Sequence, residues 1–284
     1  MTFYIRPSAL SATLIVFLNS LVRTFKSIIR LLNNEMSHKG IIFTLTTCLH
    51  LPGKIKQTKE CLRALFTVER NWAFVDSFYL VNEYDPNNPN GIDLSWIQKE
   101  YPLFKVIQKG PNEMGQAYSI NIIINILKES DATYWLHWEE SWMIKQPFLL
   151  DALSVMQTCA DVSQLQIAKG WHDVPHEQRE GYFVISREYH SIVNEQLGPR
   201  PIHCKWKGKP WPLFSLQPGI DRIENIVNIG YFNPNHNSVP RGKVNGSEFN
   251  FSHRWYLQGV KKGVLTPFRA FRDVSHNSTS FFIK

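Results

Sequence analysis

The apolar positions change period along the chain, and each change marks a different kind of element. Leu14, Phe17, Leu18, Leu21, Phe25, Ile28, Ile29 and Leu32 recur at helical spacing, with Arg23, Lys26 and Arg30 on the opposite face. This predicts a basic amphipathic helix. From Gly40 the period shortens. Residues 41–45 form a β-branched apolar run that opens into Thr46 and Thr47, the pattern of a buried strand leading to a polar loop. Residues 56–70 place Cys61, Leu62, Leu65 and Phe66 on one helical stripe, and residues 75–81 read as a second strand. That strand is closed by Asn82-Glu83-Tyr84-Asp85 and a Pro/Asn/Gly-rich turn through Gly91. Strand, helix and strand in this order imply a parallel pair joined by a crossover.

The unit then repeats. Residues 94–101 predict a helix, 104–108 a strand, 115–128 a helix with Ile120, Ile123, Ile124 and Leu127 inward, and 133–138 a strand that stops at Glu139-Glu140-Ser141. Beyond Pro147 the pattern loosens: a helix over 148–157, short strands over 165–167 and 182–185, a helix over 251–258 and an extended segment over 263–268. Residues 199–218 are crowded with Pro, Trp, Lys and His and read as an ordered loop. The expected class is α/β, with a mostly parallel central sheet flanked by helices. Such a sheet binds its ligand beyond the carboxyl ends of its strands, which directs attention to Thr46, Asn82 and Glu139.

Composition narrows the class further. With 284 residues and 43% hydrophobic content, the chain can bury a sizeable core, and its 13% aromatic content suggests a deep core with a stacking cleft. The net charge is +7, but Arg6, Arg23, Lys26, Arg30 and Lys39 face Glu35 alone before residue 41, so more than half of it lies there. The remainder carries no run of five or more basic residues, which argues against a nucleic-acid partner. The basic helix instead offers two readings: membrane-surface contact through residues 12–32, or packing on the domain. Its apolar stretch is too short to cross a bilayer. A third reading takes Met36 as the working start. Cys48, Cys61, Cys159 and Cys204 make no C-x-x-C pair, so neither a zinc site nor a disulfide framework is expected. Asn245-Gly246-Ser247 and Asn277-Ser278-Thr279 fit the N-glycosylation acceptor pattern, which leaves the secretory pathway open beside a cytoplasmic or peripheral-membrane location.

Two adjacent carboxylates at a strand end, Glu139 and Glu140, are poor core residues, because burying an unpaired carboxylate costs several kcal/mol. They suit a divalent ion held against a diphosphate by hard oxygen ligands, or equally a solvated loop or a helix-terminal charge. His172 and His176 share helical spacing, but Pro175 interrupts it. His137 reads as a structural hydrogen-bonding residue of the strand before Glu139. No G-x-S-x-G elbow, Walker loop or G-x-G-x-x-G turn is present, which removes the usual support for hydrolase, NTPase and dinucleotide-binding classes.

The order of features over residues 40–283 resembles the GT-A glycosyltransferases, and among them the inverting, family-two-like members that use nucleotide-diphosphate sugars. Thr44-Leu45-Thr46 resembles the nucleotide-contacting first strand, Asn82-Glu83 an acidic pair touching the base, and the segment from Gly115 to Asn121 the helix before the metal strand. Trp138-Glu139-Glu140-Ser141-Trp142 falls where relatives have an acid, any residue and Asp, followed by an aromatic. Ser141 replaces the last acid, a neutral and weaker ligand. Phe214 to Gly219 with Asp221-Arg222 resembles an acceptor-side loop, near which Trp211 could stack on a sugar or simply pack. Glu248, in Glu248-Phe249-Asn250-Phe251-Ser252-His253-Arg254, resembles the acid that deprotonates the acceptor, and is otherwise a helix-cap partner. His276 in Val274-Ser275-His276-Asn277 resembles a C-terminal loop histidine returning to the metal, and is otherwise a surface residue.

What the resemblance implies is a Rossmann-like GT-A domain over residues 40–284, with a nucleotide-binding half (40–146) and an acceptor-binding half (147–284), preceded by a helical extension (1–39). It implies a hexosyltransferase with a UDP- or GDP-type donor, a carbohydrate or glycoconjugate acceptor and Mn or Mg. Thr44, Thr46, Asn82, Glu83 and Asn121 would contact the nucleotide, Glu139, Glu140, Ser141 and His276 the metal, and Trp211 and Arg222 the acceptor, with Glu248 as base. The departure at Ser141 keeps two alternatives in view: a binding protein that has lost turnover, and a membrane-surface protein acting through its basic helix.

Overall fold

The computed structural model describes residues 40–88, 91–168, 176–185, 214–234 and 246–272, all within one compact unit. The predicted N-terminal helix, Trp211 and His276 lie outside these residues. Within them, the first half alternates as expected: β1 (Ile41–Thr47), α1 (Lys54–Val68), β2 (Val75–Asn82), α2 (Ser95–Glu100), β3 (Phe104–Gln108), α3 (Gln116–Lys128) and β4 (Tyr134–Glu139). The second half comprises β5 (Trp142–Ile144), α4 (Leu149–Thr158), β6 (Val162–Gln166), β7 (His176–Arg179), β8 (Tyr182–Ile185), β9 (Gly219–Arg222), α5 (Ile223–Ile229), α6 (Gly246–Leu257), β10 (Lys261–Leu265) and β11 (Ala270–Arg272). Among the described residues no helix is long and apolar enough to cross a membrane.

The main sheet runs β3-β2-β1-β4-β9-β6-β10-β8-β7, while β11 and β5 pair separately. β1 is parallel to β2 and β4, and β2 to β3; β9 and β8 run against their neighbours. The sheet is therefore mixed but mostly parallel. Every residue of β1 is buried, as a central strand covered on both faces requires. One face carries Phe43, Leu45, Leu80, Leu136 and Trp138 against α1 and α4. The other carries Ile42, Val81 and Trp135 against α3, α5 and α6. Much of the aromatic content is spent here: Phe43, Phe66, Trp72, Phe78 and Phe104 meet edge-on or tilted with centroids 5.1–6.1 Å apart. Each large side chain so buried contributes roughly 1.5–3 kcal/mol of transfer free energy.

The 219–222 segment differs from its sequence reading as a loop. It is a strand in the middle of the sheet, antiparallel to both β4 and β6. Four residues, two of them charged, present no alternation from which a strand could be recognised. Its register brings Gly219 beside Gln166, where an added Cβ would stand 3.1 Å from the Leu165 carbonyl oxygen, so close strand approach favours glycine there. α6 begins at Gly246, ahead of the expected residue 251, because its first turn is polar and shows no apolar stripe.

A buried glutamate and a buried ion pair join distant parts of this fold. Glu69, with no exposed surface, follows α1 and accepts hydrogen bonds on one oxygen from Arg70 N (2.9 Å), Asn71 N (2.9 Å) and Asn71 Nδ2 (2.7 Å). Its other oxygen accepts from Phe148 N (2.8 Å) and Leu149 N (3.0 Å), the first donors of α4. α4 has no capping side chain of its own, so this remote carboxylate satisfies amides that a helix start otherwise leaves orphaned.

Lys109 and Glu83, each 2% exposed, form the second device. Lys109 Nζ lies 2.9 Å from the Glu83 carboxylate and donates to Gly115 O (2.8 Å) and Ser119 Oγ (3.0 Å). Glu83 also accepts from Gly115 N (3.1 Å) and Tyr84 N (3.1 Å). The ends of β2 and β3 and the start of α3 are thus tied together. Gly115 supports this with φ +94°, a conformation that an L side chain resists. Burial pulls the Lys109 pKa down, and the Glu83 charge opposes that pull.

Two stability measurements check these roles. Glu69→Gln puts an amide group among donors and is expected to cost about 2–3 kcal/mol in urea unfolding, a loss below half a kcal/mol contradicting the capping role. Lys109→Met strands a buried carboxylate and is expected to cost about 3–5 kcal/mol, while adding Glu83→Gln recovers a large part of it. Equal stability of the single and double variants would contradict the pairing.

Candidate functional site

The parallel strands deliver their carboxyl ends to one edge, where register sets the neighbours. Thr47 stands beside Asn82, Asn82 beside Gln108, and Thr46 beside Glu139. The expected site residues in this row divide into those that brace the edge and those that face outward.

Thr44 is fully buried two residues back from the edge. Its hydroxyl accepts Trp135 Nε1–H (2.7 Å) and meets His137 Nδ1 (3.0 Å). His137 is therefore a structural partner of β1, and burial pushes its pKa down to about 3, leaving it neutral. Asn82 is equally buried: its carbonyl oxygen accepts Thr47 Oγ1–H (3.0 Å) and Leu49 N–H (3.1 Å), and its amide donates to Gln108 Oε1 (2.8 Å). Glu83 is committed to Lys109. These three side chains shape the edge, and their polar atoms are occupied by protein. Thr46 retains 9% exposure at the strand end.

The two adjacent acids part company, as strand alternation requires. Glu139 is half-buried: Oε1 accepts Gln116 Nε2–H from the start of α3 (3.0 Å) and Oε2 accepts Trp142 Nε1–H (3.3 Å). Both of these donors are neutral side chains. Glu140 turns to the α1 face, buried, with Lys54 Nζ 2.8 Å from its carboxylate, while Lys54 also donates to Gln57 Oε1 (2.9 Å). The sequence placed Glu140 with Glu139 as a metal ligand; the structure places it in an ion pair on the other face. Ser141, 6% exposed, completes the turn into β5. Among the described residues no three His, Cys, Asp or Glu side chains gather as a metal site.

Two further expected residues lie elsewhere. Asn121 pins the chain after α5, donating to Phe232 O (2.9 Å) and accepting Phe232 N–H (2.7 Å). Arg222 pairs in register with Tyr134, the first residue of β4, and so sits at the edge opposite Glu139. Its guanidinium donates to Met156 O and Cys159 O (3.0 Å) at the end of α4 and to Val162 O (2.9 Å) at the start of β6. The sequence reading gives it an acceptor-side role; in the structure its guanidinium ties the end of α4 to the start of β6, at the edge opposite Glu139.

Glu248 is held by the loop that leads into β9. It lies in the first turn of α6, half-buried, and its Oε1 accepts Leu216 N–H (3.1 Å). Leu216 shortly precedes Gly219, which pairs with His137 and Gln166 near the carboxyl ends of β4 and β6. Burial raises the Glu248 pKa; the Leu216 amide and Lys262 act against that rise. The chain thus presents two half-buried carboxylates on the α3 and α6 side of the sheet, held differently: Glu139 by side-chain donors at the end of β4, Glu248 by a backbone amide of the loop before β9.

Several residues here escaped the sequence reading. Gln116 was visible only as part of a helix start, and Lys109 only as a charge after a strand. Lys262 and Gln164 are buried on adjacent strands, with Gln164 beside Asp221, which the sequence offers only as part of an acceptor-side loop. Their one signal was polar residues at inward positions of short strands.

No family model matches the sequence, and no curated protein matches it. Solved structures do match in fold. The crystal structure of S. aureus TarS 1–349 aligns with a TM-score of 0.52 at 15% identity, over 82% of this chain and 60% of that one. TarS 1–349 in complex with UDP gives 0.51 at 16%, over 83% and 61%. GalNAc-T7 with UDP, GalNAc and Mn2+ gives 0.55 at 9%, over 84% and 44%. The chain therefore spans less than two thirds of each of these structures. Both are GT-A glycosyltransferases, and the mixed, mostly parallel sheet flanked by helices is common to them and to this chain. The chain has the GT-A fold.

Proposed function

We propose that the chain transfers a sugar from a nucleotide-diphosphate donor, of the UDP type, to an acceptor hydroxyl. The observation that carries this is the half-buried Glu139 carboxylate at the carboxyl end of β4 in a GT-A sheet, beside Thr46 and held by Gln116, while Glu248 is held by the loop before β9 on the same side of the sheet. A half-buried carboxylate oriented at a strand end suits a cation, and a carboxylate with raised proton affinity suits proton abstraction. Solved structures of the same fold that hold UDP, one of them with Mn2+, support the donor class.

In this scheme the diphosphate lies over the ends of β1 and β4, beside Thr46 and the start of α3. Glu139, with phosphate oxygens and with Ser141 and His276 from beyond it, would hold a divalent ion; hard cations of this kind commonly take one or two carboxylates and complete their shell from phosphate and water. When bound, the ion neutralises charge on the departing diphosphate. Gln116 and Trp142 fix the Glu139 carboxylate, so its orientation is set before the ligand arrives. Glu248 would take the proton of the acceptor hydroxyl as its oxygen bonds to the anomeric carbon from the face opposite the breaking bond to the diphosphate, so that UDP leaves and the anomeric centre inverts. The sugar is a hexose in this proposal, and the acceptor a carbohydrate or glycoconjugate.

A second reading is favoured by one observation. With Glu140 paired to Lys54 and Ser141 neutral, one carboxylate remains where the resemblance implied several. A site so reduced suits a domain that binds a nucleotide sugar without turning it over.

Two measurements test and separate these readings. Thermal melting with UDP and Mn2+ is expected to show a stabilisation that depends on both and disappears in Glu139→Gln, as a ligand selective for the folded state requires. A shift unchanged in that variant removes Glu139 from the site. UDP release from a panel of UDP-sugars then distinguishes enzyme from binder: Glu248→Gln is expected to slow it about 100-fold or more with donor binding intact. Binding without any release in the parent chain supports the second reading, and full release by Glu248→Gln removes the base role.

A further inference from the structure

The loop that leads into β9 is fastened to β6 by two glutamines on one face of that strand. Gln164 holds the loop's backbone: its amide donates to Ser215 O (2.9 Å), and its carbonyl oxygen accepts Ser215 N–H (3.0 Å). Gln166, two residues on, holds a side chain, donating from Nε2 to Gln217 Oε1 (2.5 Å). Gln166 is 1% exposed, and its own Oε1 has no hydrogen-bond partner. An amide buried with one end unpaired costs stability that an apolar side chain of the same size would not. The group it orients is Gln217, the one residue of 214–221 that is not buried.

Register places Gln217 at the strand ends. Gly219 pairs with His137 of β4 and Gln166 of β6, and the contact with β6 continues one residue further through Ile167 N–H to Pro218 O (2.9 Å). Glu139 follows His137 by two residues and Gln217 precedes Gly219 by two, so alternation along these antiparallel neighbours carries both to the same face of the sheet. The bond from Gln166 fixes that face for Gln217. On its other side in the chain, Leu216 donates its N–H to Glu248 (3.1 Å). Gln217 thus occupies the short stretch between the support of Glu248 and the strand pair that ends at Glu139.

An inverting displacement puts the transferred sugar between the leaving diphosphate and the base. A carboxamide there adds no charge, so it contributes little toward a cation or a phosphate. What it matches is a hydroxyl, which can both donate and accept. Gln217 Nε2 meets no acceptor among the described residues, so with Oε1 held by Gln166 its N–H groups are open to a ligand.

Resting on the sugar-transfer reading above, we propose that Gln217 contacts the transferred sugar, donating from Nε2 to a ring hydroxyl, and that Gln166 is the positioning residue that aims it. A site built to hydrogen-bond a hydroxyl discriminates against sugars that hold that hydroxyl elsewhere, which makes Gln217 a specificity-determining residue.

The test is calorimetric titration of the full chain, with Mn2+, against UDP and against UDP-glucose, UDP-galactose, UDP-N-acetylglucosamine and UDP-N-acetylgalactosamine. In Gln217→Met the sugar nucleotide that the parent binds most tightly is expected to bind about three- to tenfold more weakly, with UDP affinity unchanged. Gln166→Met is expected to weaken the same sugar nucleotide and to spare UDP, because the amide is no longer held. An unchanged sugar-nucleotide affinity in Gln217→Met overturns the proposal, as does an equal loss for UDP, which marks a general disturbance of the edge. Equal losses in Gln166→Met alone remove its positioning role and leave the Gln217 contact. A parent chain that binds neither UDP nor any of the four removes the sugar-transfer reading and this proposal with it. Binding by the parent with no change in Gln217→Met removes this proposal alone.

Discussion

A lysine and a glutamate with almost no exposed surface hold the working edge of this protein together. Parallel strands present their carboxyl ends side by side, but nothing in strand pairing fixes the loops that leave them. Lys109 and Glu83 do so, joining the ends of β2 and β3 to the first turn of α3 through the backbone of Gly115. The next residue, Gln116, reaches Glu139. A buried ion pair is weak evidence for stability, since desolvation offsets much of its attraction, but it tolerates few alternative arrangements. The position of Glu139 thus depends on charges that never meet solvent.

The same solution recurs around the edge. Glu140 is paired with Lys54, Glu69 is hydrogen-bonded by amides at the start of α4, and Lys262 lies in the field of Glu248 and Asp221. The interior therefore carries several charges whose placement is stricter than that of apolar side chains. Glu139 and Glu248 differ from these in being only half-buried. Chemistry belongs with charges that the protein orients without fully covering them, and these two carboxylates meet that description.

The alternating half of the fold was legible because periodicity reports burial directly. The stripes at Cys61, Leu62 and Leu65, and at Ile120, Ile123 and Ile124, face the sheet as their spacing requires, and Phe104–Gln108 forms its strand with the expected bounds. Legibility failed where polar side chains are buried. Gly219–Arg222 reads as a loop because its Asp and Arg find partners only in three dimensions, at Gln164 and at the end of α4. The adjacent acids Glu139 and Glu140 could be recognised as unsuited to the core, but the lysine that makes Glu140 suited to it is 86 positions earlier in the chain. Asn82, Glu83 and Asn121 were noticed for their chemistry, while pairing partners at Gln108, Lys109 and Phe232 decide what that chemistry serves.

At the centre of this account, the half-buried carboxylate that ends β4 meets a nucleotide diphosphate through a divalent ion. Anomalous diffraction from crystals of the chain soaked with UDP and Mn2+ tests this most directly. The expected result is a manganese peak bonded to the Glu139 carboxylate and to diphosphate oxygens lying over the ends of β1 and β4. A manganese peak on other residues, or UDP bound away from that edge, would contradict it.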